Sequence, residues 1–128
     1  MTYLSTVISD KSSYKPAIFR SSITEGQYDA SSDFAYTVNL LNGTIHKLTL
    51  TANATITFPA VAAGSQFSLM LLQDATGSRT VTWPSSSTIL KWPSSTAPTL
   101  TGTANKMDIF SFISDGVYWY GILSGQNY

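Results

Sequence analysis

From about Asn39 onward the chain alternates apolar and hydroxyl residues with a period of two, the pattern of strands that bury one face. In His46-Lys-Leu-Thr-Leu-Thr-Ala, Leu48 and Leu50 fall on one side and Thr49 and Thr51 on the other. Ala54-Thr-Ile-Thr-Phe-Pro repeats the pattern with Ile56 and Phe58 inward; Asn53 marks a bend between the two strands, and Pro59 closes the second. A third strand runs from Gly64-Ser65 through Phe67, Leu69 and Leu71 to the turn Asp74-Ala-Thr-Gly-Ser. Met70 and Leu72 make it apolar on its other face as well, which predicts a strand held between layers. Arg79-Thr-Val-Thr-Trp puts Val81 and Trp83 on one side, and the Ser/Thr/Pro segment from Pro84 to Pro98 reads as a long loop with a short strand around Leu90–Trp92. Near the end, Asp115-Gly116 separates Met107-Asp-Ile-Phe-Ser-Phe-Ile from Val117-Tyr-Trp-Tyr-Gly-Ile-Leu and predicts a hairpin, since its turn needs the positive φ that glycine tolerates. No window has helical periodicity. Roughly six to eight short strands predict an all-β, antiparallel β-sandwich or jelly-roll-like barrel over residues 39–128.

Residues 1–38 differ. They are polar and poorly periodic and hold four of the seven acidic residues, yet they carry Tyr3, Tyr14, Phe19, Tyr28 and Phe34. Disordered tails are poor in aromatics. The stretch therefore reads as an extended N-terminal arm that orders against a partner, with Tyr3, Tyr14, Phe19 and Tyr28 as anchors. For residues 20–38, extra edge strands of the same domain are an equal alternative.

Composition narrows the partners. The 128 residues suffice for one domain, and hydrophobic residues at 43% suffice for its core. Charged residues make up 11%, against roughly 25% in soluble domains, and the seven basic residues balance the seven acidic ones. Neither nucleic acid nor an anionic membrane would find an electrostatic footprint here. A surface wetted by hydroxyls at zero net charge favours self-association. The absence of cysteine excludes disulfides, thiolate nucleophiles and thiolate metal sites. No apolar run approaches a membrane span, and the start MTYLSTVISD lacks the layout of a signal peptide. Asn42-Gly-Thr and Asn53-Ala-Thr match the glycosylation sequon, a chance match in a chain read this way.

Candidate chemistry is sparse, so neither a catalytic residue, a metal ligand nor a cofactor is expected. The single histidine, His46, has no nucleophile or orienting acid in a motif around it and reads as an edge-strand side chain with one hydrogen bond. Of the acids in the strand-rich part, Asp74 and Asp115 lie in turn signals and Asp108 lies within a strand. The glycines are isolated, without a phosphate-binding loop. That leaves the aromatics. Trp92, Tyr118 and Trp119 are candidates for a glycan or subunit contact, while Trp83 follows an alternating strand and belongs to the core.

The ordered series Gly-Ser-Arg-Thr-Val-Thr-Trp-Pro, Lys-Trp-Pro, Ala-Pro-Thr-Leu, Ala-Asn-Lys, a Phe-rich strand, Asp-Gly and Trp-Tyr-Gly resembles a β domain at the C-termini of tailed-phage virion proteins, many of them tail fibres or related receptor readers. The likeness covers about Asn39 to Tyr128. It implies a non-enzymatic virion part, commonly homotrimeric, and transfers no catalytic residue. A chain starting at Met1 with only a short arm lacks the long shaft of a fibre. The first expectation is therefore a capsid decoration (cement) protein, its arm clamped on the major capsid protein and its β domains forming a trimeric knob on the capsid surface. The alternative is a tail-fibre or tail-tip module that reads host surface glycans.

Overall fold

The computed structural model describes residues 24–86 and 88–128. Nine strands follow one another: β1 (Gln27–Ser32), β2 (Ala35–Thr37), β3 (Ile45–Leu50), β4 (Ala54–Thr57), β5 (Gln66–Gln73), β6 (Val81–Thr82), β7 (Leu90–Lys91), β8 (Met107–Ser114) and β9 (Trp119–Gly125). Single 3-10 turns at Leu40–Asn42 and Pro93–Ser95 are the only helical pieces among the described residues. The strands form a six-stranded sheet in the order β1-β3-β5-β8-β9-β7 and a three-stranded sheet in the order β2-β4-β6.

The chain is all-β, and its pairing is mixed where antiparallel pairing was expected. From Gln27 to Thr82 it winds in three rungs, each laying one strand in the large sheet and the next in the small one. Successive strands of either sheet therefore run the same way, and β1–β3, β3–β5, β2–β4 and β4–β6 are all parallel. Gln27 pairs with Ile45, and Ile45 with Ser68, so the rungs advance by 18 residues (27 to 45) and then 23 (45 to 68). Period-two alternation is the same for both directions of pairing; the direction is set by where each connection leads. The predicted bend at Asn53 is such a connection. It carries the chain from β3 to the other sheet, and its Oδ1 accepts the Thr80 N–H at 2.9 Å, stacking one corner on the next. Antiparallel pairing begins only with β5–β8 and β8–β9.

The edge-strand reading holds from Gln27 onward. Residues 27–38 form the first rung, with β1 paired to β3 and β2 to β4. Tyr3, Tyr14 and Phe19 lie outside the described residues.

The two sheets close on one core. Leu48, Leu50, Phe67, Leu69, Leu71, Phe110, Phe112 and Trp119 point inward from the large sheet, and Ile56, Phe58 and Val38 meet them from the other side. Its centre is aromatic: Phe58 meets Phe112 edge-on at 4.7 Å, and Phe67 stacks on Phe112 at 4.9 Å. These contacts contribute roughly 0.5–1.5 kcal/mol each beyond area burial. The predicted hairpin forms, with Gly116 at φ 92° and Asp115 Oδ1 accepting the N–H groups of Val117 and Tyr118. Among the described residues, no layer lies over the other face of the large sheet. Met70 and Leu72, expected between layers, lie half-buried on that face.

Candidate functional site

Two buried polar side chains organise the loops beyond β5 and β8. Gln73 ends β5 with its amide turned inward; its Oε1 accepts from Arg79 N, and its Nε2 donates to the carbonyls of Arg79 and Thr101, all at 2.9 Å. Asp108, 2% exposed in β8, accepts from Thr101 N at 2.7 Å and Asn127 N at 3.0 Å, with a longer bond from Gln126 Nε2. A buried carboxylate needs such partners, and here they pin the 99–101 segment and the C-terminal residues to the sheet.

The turn after β5 is equally fixed. Asp74 accepts the N–H groups of Thr76 and Gly77 and receives Arg79 through Nε and Nη2, the latter at 2.8 Å. The hydrogen bond from Arg79, reinforced by that from Gly77, outweighs partial desolvation and holds the Asp74 carboxyl below its ordinary range. Gly77 is required twice over. Its φ is 73°, and a Cβ there would stand 2.6 Å from the Gly102 carbonyl oxygen.

Between these anchored segments runs a groove of about 430 Å³. Ser78, Arg79, Thr80, Val81 and Trp83 form one wall, and the run from Ala97 to Leu100 with Gly102 forms the other. Trp83 is half-buried. Its ring meets Trp92 at 5.3 Å and Phe110 at 5.1 Å, which fixes its orientation. An indole, a guanidinium and several hydroxyls thus meet in a concavity within the ~300–1,000 Å³ range of small-ligand sites.

The candidates chosen from sequence fall elsewhere. Trp119 is fully buried, and its Nε1 donates to the Pro59 carbonyl at 3.0 Å. Trp92, expected free in the long loop, is 7% exposed and lies flat on Gly121, where a Cβ would approach its ring to 2.6 Å. The Trp-Pro pair therefore ends β7 with the indole turned into the core and Pro93 exposed beside it. Tyr118 is half-buried beneath Lys91, whose Nζ sits 4.4 Å from the ring centre. Tyr28 lies in β1, 39% exposed, edge-on to His46. His46 itself is not an edge residue. β3 runs between β1 and β5, and the imidazole is fully buried, with Nε2 donating to the Gly43 carbonyl at 2.9 Å and Nδ1 accepting from Tyr36 Oη at 2.7 Å. Trp83, assigned to the core, serves both the core and the groove. Its half exposure follows from the position of β6 at the edge of the small sheet, which a strand pattern does not reveal.

The carboxylates stand apart in separate structural roles: Asp74 with Arg79, Asp108 with the loop amides, and Asp115 in the hairpin turn. Among the described residues no three His, Asp or Glu side chains gather where a metal could bind. Fold and groove define an all-β structural domain with a concave surface of mixed apolar and hydroxyl character. Over residues 35–119 the chain matches the family described as putative phage tail fibre C-terminal domain, and it belongs to that family. It is a structural component of a phage virion. No curated protein and no solved structure matches it.

Proposed function

We propose that this domain is the distal, host-contacting part of a tail fibre and acts by binding surface saccharide in the Trp83 groove, without catalysis. The family match carries the first half of this reading: it spans every strand from β2 to β8, and its description is of a fibre C-terminus. The groove supports the second half. Saccharides present apolar C–H faces edged with hydroxyls, and the half-exposed indole of Trp83 beside Val81, Leu100, Arg79 and Thr80 offers the matching surfaces. The composition agrees, since a hydroxyl-rich domain with 11% charged residues leaves a neutral polar ligand as the fitting one.

The experiment is binding of the purified protein to host cells and to their extracted surface polysaccharide, comparing wild type with Thr80→Arg. Thr80 is exposed on the groove wall, so the arginine fills the groove without touching the core. Losing a contact of about 2 kcal/mol weakens binding about 30-fold. Unchanged binding by the variant would remove the groove from the reading, and a shortened polysaccharide would show catalysis. Electron microscopy of labelled virions tests the fibre assignment against capsid decoration: label at the tail agrees with it, and label spread over the head overturns it.

A further inference from the structure

We propose that the Trp83 groove admits uncharged saccharides and rejects acidic ones, and that Asp74, bonded to the cation of its wall, sets this preference. The inference rests on the groove reading above and adds the charge class of the ligand. Among the described residues lining either wall, Arg79 alone is charged. Asp74 takes up one edge of its guanidinium, with Nε at 3.2 Å from both carboxylate oxygens and Nη2 at 2.8 Å from Oδ2. The remaining amino group, Nη1, has no hydrogen-bond partner among the described residues, and the side chain is 26% exposed. Arg79 thus enters the wall as a fixed donor whose charge is already matched. Among the described residues the hydroxyls of Ser78, Thr80 and Thr99, on the same walls, are likewise without a partner. The hydroxyls of a neutral sugar need such donors and acceptors.

A second carboxylate strengthens the bias. Asp108, 2% exposed, holds the opposite wall through the Thr101 N–H at 2.7 Å; its partners are amides, and no cation pairs with it among the described residues. Gln73, which ties the two walls together through the carbonyls of Arg79 and Thr101, brings no charge. Lys106, next to Asp108 along the chain, neither lines the groove nor pairs with either carboxylate. The groove is therefore built on two carboxylates with one guanidinium to answer them. An acidic sugar entering it would lose hydration, find the charge of Arg79 engaged and meet like charge behind each wall. A neutral sugar incurs none of these penalties, and its hydroxyls can accept from Nη1 and exchange bonds with the free serine and threonine hydroxyls. Removing the Asp74 charge would release the guanidinium edge, whose fork matches a carboxylate, and turn the same groove toward acidic sugars.

The test is binding of the full chain to immobilised hexose and N-acetylhexosamine oligosaccharides, each beside a counterpart whose primary alcohol is oxidised to a carboxylate, with the extracted host polysaccharide in the same series. Wild type is expected to bind a neutral member at least about tenfold more tightly than its acidic counterpart. Raising salt from about 10 mM to about 500 mM shortens the screening length and is expected to strengthen acidic binding while leaving neutral binding unchanged. Tighter binding of the acidic member, or acidic binding that weakens with salt, overturns the proposal. Asp74→Asn, checked for folding by emission from the buried Trp119, is expected to narrow the preference about tenfold or reverse it. A folded variant that keeps the wild-type preference overturns the assignment to Asp74. Should that variant not fold, Arg79→Gln decides: it keeps a donor, removes the cation and is expected to widen the preference, and an unchanged preference overturns the proposal. Thr80→Arg separates this inference from the reading it rests on. If the variant binds neutral sugar as wild type does, or wild type binds no member of the series, the groove fails as the site and the charge preference fails with it. If the variant loses that binding while wild type does not discriminate, only the charge preference is overturned.

Discussion

The inward side chains of β1 are Tyr28, Ala30 and Ser32; those of β8 and β9 include Phe110, Phe112 and Trp119. The first rung and the terminal hairpin belong to the same large sheet, yet they are held differently. The hairpin fills the centre of the core with rings that touch from both sheets, so each ring contributes through many contacts at once. The first rung brings fewer large apolar groups, with Val38 at its end fully buried, and it is joined to the second by the β1–β3 and β2–β4 ladders and by the bond from Tyr36 in β2 to His46 in β3, which also joins the two sheets. One end of the domain is sustained chiefly by apolar burial and the other chiefly by hydrogen bonds. Burial is spread over the whole core, whereas a hydrogen bond fails locally. The first rung should therefore open before the rest.

The largest expected effect comes from Phe112→Ala, which removes the ring stacked on Phe67 and edge-on to Phe58. It should cost about 3–5 kcal/mol and lower denaturant resistance and amide protection throughout the domain. A loss confined to β8 and β9 would break the comparison. Tyr36→Phe comes next. It leaves His46 Nδ1 without its donor and should cost about 1–3 kcal/mol, with faster amide exchange in β1–β4 and little change in β8 and β9. Equal acceleration in the hairpin would contradict a separate first rung.

Tyr36 also gives an alkaline signature. Burial, with a smaller contribution from Tyr28, pushes its hydroxyl up to about 12 from an ordinary 10.0. A group raised in the folded state contributes stability that is complete below its unfolded value and lost as pH rises through the folded one, here between about 10 and about 12. Tyr36→Phe should remove that limb from the stability–pH curve; a limb of undiminished size would refute the assignment. Ser32→Ala has the smallest effect. The Ser32 Oγ is buried with no hydrogen-bond partner among the described residues, so removing it should leave stability unchanged or raise it by up to ~1 kcal/mol. A measured loss by chemical denaturation would show an unseen partner for that hydroxyl.

The strands were legible because burial on one face writes a two-residue period. Leu48 and Leu50, Ile56 and Phe58, and Phe67, Leu69 and Leu71 all point inward as the alternation requires. The Asp115-Gly116 hairpin was legible from turn chemistry. The groove was not, because its walls come from β6 with the loop before it and from the 97–102 segment. These are brought together by Gln73 and Asp108, whose bonding partners lie up to 28 residues away in sequence. Trp92 was misplaced for a related reason. Its cover is Gly121, a missing side chain on a distant strand, and the space left by a glycine gives no local pattern.

By itself the sequence determined the all-β class, the inward residues and the terminal hairpin, because each follows from interactions between near neighbours. Only the tertiary structure decided the winding in parallel rungs, which indole faces the groove, and which indoles are buried in the core. Those depend on how strands distant in sequence are ordered, and alternation is identical for every order that buries the same side chains.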